Sequence, residues 1–158
     1  MMYTVKGNRN KGFTLNDEND NLLGHLEFHH WYSKKATISL VNSESCEIVT
    51  SGFWQSAYEL VRAEHKIGEL KMNWKGHFHI TLNGINYQYK WSGFWMRSFV
   101  LMQGDQRVAQ VKQRYEWTKL SYVFEVTTDD LVRNNDMPVL MLLMAYCTSQ
   151  QYASAGAV

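Results

Sequence analysis

His77 and His79 stand two apart in the string HFH, so on a strand they leave the same face and could hold a metal together. Zinc needs three or four ligands drawn from imidazole, thiolate and carboxylate. His29 and His30 are adjacent and would face opposite sides, and no third ligand aligns with the His77 and His79 pair. The expectation is surface histidines and no metal site. Two thiols are the next candidates. Cys46 opens the strand-like run CEIVT, and Cys147 closes the apolar run MPVLMLLMAYC, where a thiol is buried and inert. Their unrelated contexts argue against a disulfide and for a reducing compartment. The chain has neither a G-x-S-x-G string nor a Gly-rich phosphate loop. Asp129 and Asp130 read as a turn or helix start. No residue is given a catalytic role, no cofactor is expected, and the chain reads as non-enzymatic.

Basic side chains offer a different chemistry. Lys112 and Arg114 flank Gln113, so both leave one side of their strand; Lys119 lies just beyond. Lys71 is the equivalent of Lys112 in an internal repeat described below, and Lys34 and Lys35 sit in another hairpin region. Such a set can take a phosphate through charge-assisted hydrogen bonds, or it can be a solvated outer face. Lys71, Lys112, Arg114 and Lys119 are the candidate ligand-binding residues. Trp31, Tyr32, Trp54, Trp74, Trp91, Trp95 and Trp117 form an aromatic set. Near bases, such a set suits a membrane-interface belt, a stacking surface or simple packing at a rim. A net charge of +1 gives no bias toward nucleic acid.

The elements that must position these residues follow from repetition. SGFW occurs at 51–54 and at 92–95, and the match continues without gaps through 74 and 115. Tyr58 pairs with Phe99, Leu60 with Leu101, Ile67 with Val108, and Leu70 with Val111. A weaker copy lies upstream, where Phe13 and Leu15 match Tyr58 and Leu60 once one residue is gapped. Self-similarity of this kind marks a repeat architecture. Each copy reads as strand, polar turn, strand, with apolar residues spaced by two. Further strand-like runs follow, including ATISL, CEIVT, HFHITL, INYQYKW and KLSYVFEV. Asn83-Gly84 is a strong hairpin signal, since both residues tolerate positive φ. SGFW reads as a signature of the junctions between units, with Gly52 and Gly93 at bends.

From Val139 to Cys147 every residue is apolar, after Pro138 and a capping stretch Asn134-Asn135-Asp136. A helix apolar on all sides must be buried all round. Its apolar part would span about 16 Å at about 1.5 Å per residue, against about 30 Å for a bilayer core, so it reads as a buried helix over about 137–151. Among so many antiparallel strands, the natural place for it is inside a closed sheet, which also removes exposed edges. Gly24, Gly68 and Ala109 occupy equivalent positions and would leave room for that helix. MMYTVKGNRN has no apolar run, so no signal peptide is expected.

The fold class expected is all-β with one helix, a single domain over 1–158. It is a closed antiparallel barrel of about twelve strands around a buried C-terminal hydrophobic helix, with units starting near 12, 57 and 98. Three strand-turn-strand copies, the strings Leu23-Gly24-His25-Leu26 and Ile67-Gly68-Glu69-Leu70, and the terminal apolar helix together resemble the tubby C-terminal-like superfamily. That superfamily includes the LURP-one-related proteins and the phospholipid scramblases. The resemblance implies the twelve-stranded barrel with its threaded helix. It also implies phosphoinositide headgroup binding of the tubby kind, or the membrane and calcium association of scramblases. NDENDN (16–21) lacks the central Gly and distal Glu of a calcium loop, and there is no cysteine cluster. The expected function is a non-enzymatic binding module for phospholipid headgroups or another membrane-associated ligand, cytoplasmic and peripheral to the membrane. The alternatives are a homo-oligomeric interaction scaffold and a metal-dependent enzyme using His77 and His79.

Overall fold

Alternating apolar residues dominate the chain up to residue 128, and alternation puts every second side chain on one face. A computed structural model describes residues 1–30, 33–51, 57–73, 77–92, 98–128 and 136–155, with side chains through 150. It shows twelve strands: β1 (Met2–Asn8), β2 (Gly12–Asn16), β3 (Leu22–Phe28), β4 (Ala36–Leu40), β5 (Cys46–Ser51), β6 (Ala57–Arg62), β7 (His65–Met72), β8 (Phe78–Leu82), β9 (Ile85–Trp91), β10 (Ser98–Gln103), β11 (Gln106–Glu116) and β12 (Ser121–Thr128). Each pairs antiparallel with its sequence neighbours, and β1 pairs with β12 to close the barrel. The closing ladder runs from Met2 opposite Thr127 to Gly7 opposite Tyr122. Sequence reading assigned no strand to the first ten residues, because their apolar alternation is short; β12 supplies the partner that holds β1 in place. The Asn83-Gly84 turn forms as expected, with φ of 50° and 81°.

Repetition survives in the register. Leu15 faces Gly24, Leu60 faces Gly68, and Leu101 faces Ala109. Immediately after each pair the ladder slips by one residue. The extra residues are Leu23, Ile67 and Val108, so each copy carries a β-bulge at the same place. Bulges of this kind bend the strand and raise its twist, which a closed barrel needs at regular intervals.

Helix α1 (Met137–Ala155) fills the interior. The Asp136 carbonyl accepts the first helical bond from the Leu140 amide at 2.9 Å, and Asp136 Oδ1 accepts from Asn83 Nδ2 at 3.0 Å. Val139 through Cys147 are all buried, as an all-apolar helix requires. The helix packs most closely against β1–β4 rather than along the barrel axis. Aromatic side chains on the other strands, Tyr58, Phe78, Tyr87, Tyr89 and Phe99, are buried in the same core.

This lean corrects one expectation. A Cβ at Gly24 would come within 3.2 Å of Leu142 Cδ1 on the helix and 2.8 Å of Leu40 Cδ2. At Gly68 the obstacles are instead the Thr81 carbonyl oxygen, Leu60 and Leu82. Gly24 makes room for the helix, whereas Gly68 makes room for the neighbouring strand at its bulge. Gly68→Ala drives a methyl group against main chain that cannot rotate away, and is expected to lower stability by about 3 kcal/mol. Urea denaturation measures it; a loss under about 1 kcal/mol would show that β8 yields.

Candidate functional site

An up-and-down barrel has two rims, because successive connections alternate ends. One rim holds residues 9–11, 29–30, 33–35, 73, 77 and 117–120 among its described connections. The C-terminal half of the helix reaches it: Tyr146 Oη donates to the Lys34 carbonyl at 2.6 Å, and Arg9 Nη1 lies 3.5 Å from Ser149 Oγ. The last turn of the helix has no basic residue of its own. Arg9, reaching in from the β1–β2 turn, meets the helix at Ser149, six residues before its last residue, Ala155. The Arg9 guanidinium donates to the Ser33 carbonyl at 2.8 Å and sits 4.6 Å from the Phe28 ring centre. Burial raises the Tyr146 phenol well above its ordinary range, so it stays a neutral donor. The opposite rim holds residues 17–21, 41–45, 63–64, 83–84, 104–105 and the helix start.

Charge divides between these rims. Among the described connecting residues, the helix-end rim carries Arg9, Lys11, Lys34, Lys35 and Lys119, with His29, His30 and His77, and no Asp or Glu. The connections of the opposite rim carry Asp17, Glu18, Asp20, Glu44, Glu64, Asp105 and Asp136, with no described Lys or Arg. The described connections of the two rims are therefore opposite in charge, while Lys66 and Arg107 stand on strand ends beside the acidic rim and Glu116 on a strand end beside the basic one.

Closure of the barrel builds a basic corner on this rim. The row Lys112, Glu125, Thr4 runs across β11, β12 and β1, and the next outward row is Arg114, Val123, Lys6. Val123 is fully buried, with Arg114 and Lys6 paired to it on either side. Arg114 Nη1 is 2.9 Å from Glu116 Oε1, and its Nε is 3.6 Å from Glu125 Oε1; Lys119 Nζ is 4.0 Å from Glu116 Oε2. These exposed pairs hold little energy and leave the charges available to a stronger partner. Lys6 and Lys11 are exposed on the adjoining strand and turn.

Of the residues singled out by sequence, the structure brings Lys112, Arg114 and Lys119 together on β11 and its turn. Lys71 lies on β7, four strands away around the barrel, and faces Glu69 at 3.7 Å. Lys6, Arg9 and Lys11 escaped sequence reading because only the β1–β12 ladder places them beside Arg114 and Lys119. Trp91 is half-buried against the core, and Trp117 is 79% exposed. Trp31, Tyr32, Trp54, Trp74 and Trp95, the Gly-Phe-Trp parts of both SGFW strings, Asn134, Asn135 and the Asp129-Asp130 pair lie outside the described residues.

The remaining chemistry is quiet. Burial pushes the Cys46 thiol up to about 11 and raises Cys147 as well, so neither is a thiolate near neutral pH. No group of three His, Cys, Asp or Glu able to hold a metal occurs among the described residues. No described helix is long and apolar enough to cross a membrane.

A solved X-ray structure of a protein from Arabidopsis thaliana is similar to this chain, with a TM-score of 0.55 and 15% identity over 91% of this chain and 89% of that one. At that identity the likeness concerns the fold: a twelve-stranded barrel with one helix. No family model and no curated protein matches the chain.

Proposed function

We propose that this chain is a non-enzymatic binding module of the tubby and LURP-one type, which docks its helix-end rim on an anionic phospholipid surface. The division of charge between the two rims carries this reading. Each Lys or Arg brought near an anionic leaflet contributes about 1 kcal/mol, and the acidic rim is repelled, so the same field attracts and orients the molecule. The protein on this view works in a reducing compartment, peripheral to the membrane, with Lys112, Arg114 and Lys119 joined by Lys6 and Lys11 as the headgroup contacts.

Flotation with vesicles tests it. The protein is expected to float with phosphatidylcholine vesicles containing phosphatidylserine at low salt, and to stay behind with phosphatidylcholine alone. Failure to float with the anionic vesicles at low salt would sink the proposal. The same polarity favours a second reading, in which the basic rim of one copy meets the acidic rim of another in a head-to-tail chain. Sedimentation at low salt without lipid separates them, since only that reading predicts growth with concentration.

A further inference from the structure

The turn joining β11 to β12, Trp117-Thr118-Lys119-Leu120, does what a soluble turn avoids. Trp117 is 79% exposed and Leu120 is 63% exposed. Leu120 also has a φ of 51°, a left-handed conformation that costs a non-glycine residue about 1–2 kcal/mol. A glycine or asparagine there would relieve the strain and remove the apolar surface together. The conformation is held from outside: Asn8 Nδ2 donates to the Leu120 carbonyl at 3.1 Å, and the Lys119 amide donates to the Glu116 carbonyl at 3.3 Å. Asn8 is itself fixed by the Lys11 amide, which donates to its Oδ1 at 2.8 Å. Beneath the tip, Tyr115 stacks edge-on with Trp117 at 4.7 Å between ring centres and with Tyr122 at 4.9 Å, a rigid footing for the indole.

The setting of the tip says what covers it. Lys119 lies between the two apolar side chains and is 74% exposed at its side chain. Lys11 occupies the neighbouring turn of the same rim; no acid is found among the described connections there, and Glu116, at the end of β11, lies 4.0 Å from Lys119 Nζ. An apolar protein partner would cover Lys119 and Lys11 with hydrocarbon and give them only the weak exposed pairing of Lys119 with Glu116, whereas a bilayer interface offers hydrocarbon at its centre and phosphate around it. Indole is also the side chain best suited to the depth of the headgroups.

We infer that residues 117–120 form an insertion tip: Trp117 and Leu120 enter the headgroup boundary of an anionic bilayer while Lys119 and Lys11 hold the phosphates around them. This rests on the membrane reading above and adds to it an apolar anchor. Electrostatic docking alone dissolves in salt, while an inserted indole and isobutyl group do not.

Flotation with phosphatidylcholine/phosphatidylserine vesicles, at low and at high salt, compares the wild type with Trp117→Ser/Leu120→Ser and with Leu120→Gly. The wild type is expected to keep part of its binding at high salt. The double variant is expected to bind at low salt, but to lose the salt-resistant part, with affinity lower by about tenfold or more. Leu120→Gly is expected to melt no lower than the wild type, because glycine releases the left-handed strain, and yet to bind more weakly at high salt. A double variant indistinguishable from wild type at both salts overturns the insertion tip and leaves the basic rim standing. A wild type that ignores anionic vesicles overturns both. A Leu120→Gly variant that melts lower shows Leu120 to be structural, and also overturns the tip.

Discussion

Leu142→Ala is expected to remove about 2–5 kcal/mol of unfolding free energy, which for a domain holding about 5–15 kcal/mol is a large share. Leu142 is fully buried on the helix, and its Cδ1 reaches toward the face of β3 where Gly24 leaves no Cβ. The site cannot collapse to refill the space, because its far wall is closed sheet, twelve strands around with no edge to move inward. Rigid surroundings put the cost toward the upper end of the range. Leu22→Ala is the control: Leu22 is 53% exposed, and its loss is expected to stay within about 0.5 kcal/mol. Guanidinium denaturation of both variants decides the matter. Equal midpoints would mean that the helix does not fill the barrel in solution.

The second large effect concerns binding. Lys6→Gln, Lys11→Gln and Lys119→Gln together are expected to weaken association with anionic vesicles by about 100-fold, at about 1 kcal/mol for each cation lost. None of the three is buried, so the fold is expected to persist. Arg107→Gln removes an exposed cation beside the opposite rim, next to Asp105, and is expected to leave vesicle binding unchanged. Vesicle co-sedimentation across a lipid titration measures both variants. Should Arg107→Gln weaken binding as much per charge as the triple variant, the attraction would be diffuse and the rim would have no special part in it.

How far the sequence carries toward these residues depends on how far apart they lie along the chain. The hairpins were legible because their signals are local: Asn83-Gly84 sets its own turn, and Leu60, Leu70 and their counterparts repeat at fixed spacing. The buried helix was legible because an apolar run too short for a bilayer has one place left to go. What pairing across the closure does was not legible. Lys6 and Arg114 flank Val123 only through the β1–β12 ladder, and nothing in MYTVKGN announces a partner more than a hundred residues away. The repeat even misdirected one reading, since Lys71 and Lys112 are equivalent by sequence and for that reason lie far apart around a barrel built of copies. Gly68 shows the same limit. Its smallness was visible, but whether helix or strand demanded it depended on which wall the helix leans against.

The seam between β1 and β12, and the helix that follows β12, also set an order on synthesis. The first strand leaves the ribosome with one of its two edges unmatched, and that edge waits until about 120 further residues have been made. The residues that fill the interior come later still, with Val139 to Cys147. For most of translation the nascent chain is a growing sheet with an apolar face and nothing to lay against it. Such a chain gains almost no stability in increments, and depends on whatever shields a half-built sheet until its last segment arrives.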